Sequence, residues 1–354
     1  MVSVKSLFLT GFSSIAVLAT SSQFGPRMST SSNVTQYPVR TLFEFGKGVW
    51  PENFFVRSNG KIVGGIATEA LLYQFDPQDS AVPPQILHSF KDKLSVFGIT
   101  ETQQDLFYVI VNNFTTSPEF LGIQGTNSIW ELDLRASPNG TGNSSGVKIT
   151  KFMDLPQFGL LDGLDTLNAE KGLLVTGDGN YTGSTGTFIV VDTVHGVVTP
   201  IFNDTLLQGS ATLAAGIDGI RVRDGYLYFT NAAKGIFSRF PIDLDTGRPT
   251  GPIETLLSGL GSVDDFFFDQ RGFVYLCLSE QGIGRAAPPL YNGVEIIARL
   301  SGPTAARFGT TDRERHKLFV TSTGGNAAYM TRNFIDSSTL SVVDLGTAFN
   351  NYFV

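Results

Sequence analysis

The stretch PENFFVRSNGKIVGG, from Pro51 to Gly65, decides how this chain is read. It opens on an acid, runs apolar, turns at Ser58-Asn59-Gly60 and runs apolar again. The pattern predicts strand, tight turn, strand, with Asn59-Gly60 supplying the positive backbone angles of a two-residue hairpin. Phe54, Phe55 and Val56, then Ile62 and Val63, are apolar at consecutive positions, so the hairpin is expected to be buried on both faces. An ionisable Glu52 at the entrance of a buried hairpin needs a reason.

The hairpin recurs. GITETQQDLFYVIV begins at Gly98, GLDTLNAEKGLLVTG at Gly163, GIRVRDGYLYFTN at Gly219, FFFDQRGFVYLCLS at Phe266 and RFGTTDRERHKLFVTST at Arg307. Aligned on Ile62, Leu106, Leu173, Leu227, Val274 and Leu318, the copies are 44, 67, 54, 47 and 44 residues apart. The longest interval contains ASPNGTGNSSG, Ala136 to Gly146, which reads as an inserted surface loop. Between hairpins lie second strand pairs such as LLYQFDP, NSIWELDL and GTFIVVDT, alternating apolar and polar as half-exposed outer strands do. Six units of four strands predict an all-β six-bladed propeller. YPVRTLFEF, Tyr37 to Phe45, precedes the first unit and is expected to add a strand to the last blade, closing the ring.

Bulk composition agrees. Glycine is 39 of 354 residues and charged residues are 16%, a turn-rich, apolar balance. A net charge of -7 offers no footprint for nucleic acid or an anionic membrane. Residues 1–19, with Lys5 and an apolar core from Leu7 to Leu18, read as a secretory signal cleaved near Ala19. Residues 20–36 are a polar lead-in, and 37–354 form one propeller domain. Sequons at Asn33, Asn113, Asn139, Asn143, Asn180 and Asn203 add to the expectation of a secreted or secretory-lumen glycoprotein acting as a monomer. Cys277 is the only cysteine, so no intrachain disulfide forms and the core must supply stability.

The first strand of a propeller blade lines the central channel, so the residue before it faces the axis. That residue is Glu52, Asp162, Asp218 and Asp264 in four units, and is taken as Phe97 and Phe308 in the other two. Four acids around one axis repel each other. A divalent cation held by oxygen, calcium in preference to zinc, would relieve the cost. The plainer reading is that each Asp caps its own turn. Asp265 stands ready to exchange roles with Asp264.

The quoted hairpin, together with LLDGL, GIDGIRVRDGYLYFTN and SVDDFFFDQRGFVYL, resembles secreted fungal members of the senescence-marker-protein/gluconolactonase group of six-bladed propellers. The resemblance implies an axial divalent ion, usually calcium, bound by one Glu, two Asn and one Asp. Those fall on Glu52, Asp162, Asp218 and Asp264, where both Asn have become acids. Two added carboxylates overneutralise the ion and blunt its Lewis acidity; alternatively one Asp stays protonated and donates a hydrogen bond. No other hydrolytic apparatus is visible. The histidines are His88, His195 and His316, and no nucleophile elbow or Cys–His pair accompanies them. GDGNYTGSTG, from Gly177, is glycine-rich without a following helix, which argues against a phosphate cradle.

What remains is an apolar axial pocket with a few acids. Trp50, Phe97 and Phe308, with Asn231 and Tyr329 as polar contacts, are expected to hold a small apolar substrate, and Asp162, Asp218 and Asp264 to act on it. Secreted fungal propellers similar to this chain act as hetero-Diels–Alderases, joining an enone or quinone-methide diene to a terpene alkene. The resemblance implies that activity first, a metal-dependent lactonase or ester hydrolase second, and a non-catalytic binding propeller third.

Overall fold

The structure is a computed structural model. It describes residues 36–116, 121–136, 146–179, 186–210, 215–326 and 333–346. The segment 1–35, most of the inserted loop, and the predicted sites at Asn33, Asn139, Asn143, Asn180 and Tyr329 lie outside the described residues.

Six four-stranded antiparallel sheets follow one another along the chain. Their innermost strands are Pro51–Val56, Ser95–Gln103, Leu161–Asn168, Ile217–Arg223, Val263–Phe268 and Pro303–Phe308. The outermost strand of blade six is Val39–Gly46, which pairs with Ser338–Asp344. The first strand of the propeller thus completes its last blade, as the sequence suggests. Blades pack face to face through aromatic contacts, for instance Phe188 on Phe229 at 5.4 Å and 71°. Burying each such ring stabilises the fold by about 1.5–3 kcal/mol. Cys277 is fully buried in one of these layers. A helical element that is described throughout is the 3-10 turn at Thr205–Leu207.

The founding hairpin is buried on both faces, but its turn differs from expectation. Arg57 N donates to Lys61 O, leaving Ser58, Asn59 and Gly60 as a three-residue loop. Only Gly60 has positive φ, at 85°, while Asn59 Oδ1 accepts from Lys61 N at 3.0 Å. One left-handed residue suffices because a three-residue loop takes its twist from a single glycine.

Every innermost strand carries a bulge at the same place. Pro51 faces Ile66 and Phe54 faces Gly64, so Glu52 and Asn53 oppose one partner residue. The same skip frames Phe97-Gly98, Asp162-Gly163, Asp218-Gly219 and Asp264-Asp265. In blade six Pro303 faces Ser322 and Ala306 faces Val320, framing Thr304-Ala305. A bulge re-aims the side chain it contains. The glycines of VFG, LDG and IDG follow from it. A Cβ on Gly98 or Gly163 would collide with the carbonyl oxygen of Asp162 or Asp218 in the next blade, and one on Gly219 with the Asp265 carboxylate.

The bulge corrects the sequence alignment in blade six. Thr304, not Phe308, stands where the acids stand. Counting back from Leu318 misleads because the blade-six hairpin turn, residues 309–316, is long. Phe308 lies at the far end of its strand, edge-on to Tyr275 at 5.1 Å.

Candidate axial site

The bulged residues Glu52, Phe97, Asp162, Asp218 and Asp264 converge on one end of the channel, where a cavity of about 380 Å³ opens, while Thr304 bonds Pro51 O. Its lining includes Glu52, Asp162, Asp218 and Asp264, each at most 7% exposed, together with Trp50 and Phe97. Phe114, Leu160, Ala215, Ala232, Ser262, Ser279, Glu280, Ser301, Gly324, Gly325 and Asn326 complete its walls.

Local structure fixes these side chains. Trp50 Nε1 donates to Glu52 Oε2 at 2.5 Å and Asn53 Nδ2 to Glu52 Oε1 at 3.2 Å. Asp264 Oδ1 accepts from Asp265 N at 3.0 Å. Segment 158–161, which leads into Asp162, is clamped by buried amides and an acid. Asn127 bonds Phe158 O and Leu161 N, Asn112 bonds Leu161 O, and Asp178 accepts from Gly159 N and Leu160 N.

Three residues beyond each bulged position comes a second ring: Phe55, Thr100, Asp165, Arg221, Phe267 and Arg307. Its members touch around the axis. Arg307 lies over Phe55 and Phe267 at 5.2 and 5.0 Å, Arg221 over Phe267 at 5.7 Å, and Thr100 donates to Asp165 at 3.4 Å. Arg221 also pairs with Asp265, which settles the ambiguity between the adjacent acids: Asp264 faces the cavity and Asp265 faces the arginine. Two arginines and two aspartates cancel in charge across this layer. Burial, reinforced by Arg221, pushes Arg307 down to about 9.

The upper ring has no such compensation. Burial raises Glu52, Asp162 and Asp264 well above the usual carboxylate range, and repulsion from Asp218 adds to it. Burial raises Asp218 to about 7, held back by a hydrogen bond with Asp264. The floor therefore holds its protons to higher pH than ordinary carboxyls do. One carboxyl oxygen each of Asp162 and Asp218 is buried without a hydrogen-bond partner.

An axial divalent ion does not fit this arrangement. Both Glu52 oxygens already accept hydrogen bonds, and Asp218 and Asp264 bond each other. Among the described residues no group of three or more His, Cys, Asp or Glu is arranged to hold a metal ion. Burial and mutual repulsion instead strengthen the hold of these acids on their protons.

Two expected contacts lie elsewhere. Phe308 packs in the core. Asn231 is fully buried and spends its amide on Leu206 O and Gln208 O at 2.9 and 3.0 Å. The histidines stand clear of the cavity lining: His88 against Phe90 and Trp130 on an outermost strand, His195 and His316 in hairpin turns. Asn203 is exposed on an outer strand, and Asn113 is half-buried with its Oδ1 accepting from Leu94 N. Phe114, Leu160, Ser262, Ser279, Ser301 and Asn326 were not anticipated. Leu160 and Ser262 had a signal, since each stands two residues before its acid, as Trp50 does before Glu52.

The chain matches no family model. It is 26% identical over 334 residues to a protein of a Phoma species described as a putative hetero-Diels-Alderase, covering 86% of this chain and 91% of that one. It is 23% identical over 352 residues to another so described, from Sarocladium schorii, covering 89% and 86%. Among solved structures it superposes on the calcium-binding protein regucalcin of Agrobacterium tumefaciens with a TM-score of 0.62, at 17% identity over 88% of this chain and 96% of that one. A gluconolactonase of Xanthomonas campestris gives 0.58 at 11% identity, covering 91% and 95%. In fold the chain is a regucalcin- and gluconolactonase-like six-bladed propeller. In sequence it is similar to proteins described as putative hetero-Diels-Alderases.

Proposed function

We propose that the protein is a hetero-Diels–Alder cyclase of fungal secondary metabolism, acting in the secretory lumen or outside the cell. It would join an enone or quinone-methide diene to the alkene of a terpene. The observation that carries this reading is a floor of four buried carboxyls, whose hold on their protons burial strengthens, beneath an aromatic-walled cavity with no histidine, cysteine or lysine among its described lining residues. A cycloaddition needs no base or nucleophile. It needs both reactants held in one orientation and a donor for the carbonyl oxygen that gains negative character. Asp162 and Asp264, whose carboxyls line the cavity, are the groups placed to donate. Asp218, hydrogen-bonded with Asp264, orients it. In the balanced step the diene's terminal carbon and its carbonyl oxygen each bond to one alkene carbon, and no atom leaves.

The test is product formation by purified protein from a quinone-methide precursor and a terpene alkene, with chiral separation of the adducts. A single enantiomer, lost on Asp162→Ala together with Asp264→Ala, is expected and is unchanged by a chelator. A racemic adduct at the uncatalysed rate refutes the reading. Lactone hydrolysis abolished by the chelator would instead establish the metal-dependent alternative.

A further inference from the structure

The two sides of the cavity differ in chemistry, and sixfold geometry sets them face to face. In a ring of six, blade two stands across from blade five and blade three across from blade six. Phe97 and Phe114 come from blade two and Leu160 from the approach to blade three. Ser262 and Ser279 come from blade five, Asn326 from the loop that follows the second strand of blade six.

The apolar side is rigid. Phe97 meets Phe114 edge-on at 5.4 Å and 86°, Phe114 meets Trp50 at 6.1 Å and 84°, and the Leu160 backbone is pinned by Asp178. The polar side is an oriented relay. Thr323 Oγ1 donates to Asn326 Oδ1 at 2.6 Å, Asn326 Nδ2 to Ser279 Oγ at 3.1 Å, and Ser279 Oγ to Ser262 Oγ at 3.3 Å. The relay ends at Ser262, whose own hydroxyl proton has no acceptor among the described residues. Hydroxyls fixed in this way discriminate, because a ligand that presents only hydrocarbon leaves them unpaired.

We propose that the cavity binds an amphipathic small molecule in one orientation, an oxygen-bearing ring against Ser262, Ser279 and Asn326 and a hydrocarbon body against Phe97, Phe114 and Leu160. This deepens the cyclase reading: the oxygenated diene takes the side of blades five and six, the alkene partner the side of blades two and three. The same walls would orient any substrate with an oxygenated and a hydrocarbon half.

The test is calorimetric titration of the full chain with 4-hexylresorcinol and 4-ethylresorcinol, which share two ring hydroxyls and differ by four methylenes. The wild type is expected to bind the hexyl compound at least about ten-fold more tightly, as buried methylenes require. Leu160→Ala shrinks that ratio towards one. Ser279→Ala weakens both compounds by a common factor of roughly three to ten and leaves the ratio intact. Phe97→Leu serves as a second apolar variant should Leu160→Ala unfold. A ratio unmoved by both apolar variants, a ratio changed by Ser279→Ala, or binding of neither compound overturns the orientation. Neither probe can cyclise, so the outcome is independent of turnover: a working cyclase that fails here loses only the orientation, and an intact ratio without cyclisation loses only the cyclase.

Discussion

Replacing Asp218 by Asn should stabilise the protein, and by an amount that grows with pH. Asp218 rises from an ordinary 3.8 to about 7 because folding buries it beside other acids. A carboxyl raised by folding keeps more protons folded than unfolded between those values, so stability is fullest below about pH 4 and falls as pH rises through 7. At 1.36 kcal/mol per pH unit, the shift of 3.2 units from 3.8 to 7 costs ~4 kcal/mol at pH 8 and ~2 kcal/mol at pH 5. Asn removes that cost, and its amide can still hydrogen-bond with Asp264. The expected gain of Asp218→Asn over wild type is therefore roughly 2–3 kcal/mol larger at pH 8 than at pH 5, read as the difference between urea midpoints scaled by a common m-value. Equal gains at the two pH values would refute the account of a floor charged only at a cost. So would a loss at pH 8.

Cyclisation should fall as pH rises through about 7, since ionising Asp218 adds a second negative charge where the substrate oxygen becomes negative; a flat rate from pH 5 to 9 would count against the floor as donor. Arg221→Met strands the buried Asp265 carboxylate and should cost roughly 3–5 kcal/mol in denaturant titration, whereas Arg221→Met with Asp265→Leu should recover most of it. A chain begun at residue 47 lacks the outermost strand of blade six and leaves Ser338–Asp344 an open edge; it should fail to give soluble, cooperatively unfolding protein.

The propeller was legible because a blade is a local unit, and its hairpin repeats in sequence whether or not its partners are known. The axial acids were legible for the same reason, as positions counted from a repeat. Counting failed where the repeat stretched, and the long turn at 309–316 put Phe308 where Thr304 belongs. Asn231 was misplaced because a polar residue at a strand end satisfies loop carbonyls as readily as it faces a cavity. The hydroxyl wall was out of reach for another reason. Ser279 and Asn326 stand on loops whose course is set by tertiary hydrogen bonds, which no periodicity records. The protonated state of the floor needed coordinates too, since a carboxyl's charge depends on what is packed around it.

The repeated bulge means that the axial side chains are mounted on main-chain pairing and not on flexible connections. Such a mounting behaves like a set of identical sockets: the group plugged into one can be exchanged while the frame around it keeps its shape. Phe97 occupies a socket with a greasy plug that also lines the cavity. It is the position from which this scaffold could acquire a fifth cavity-facing acid on its bulges, and with it a different chemistry, by one change of residue.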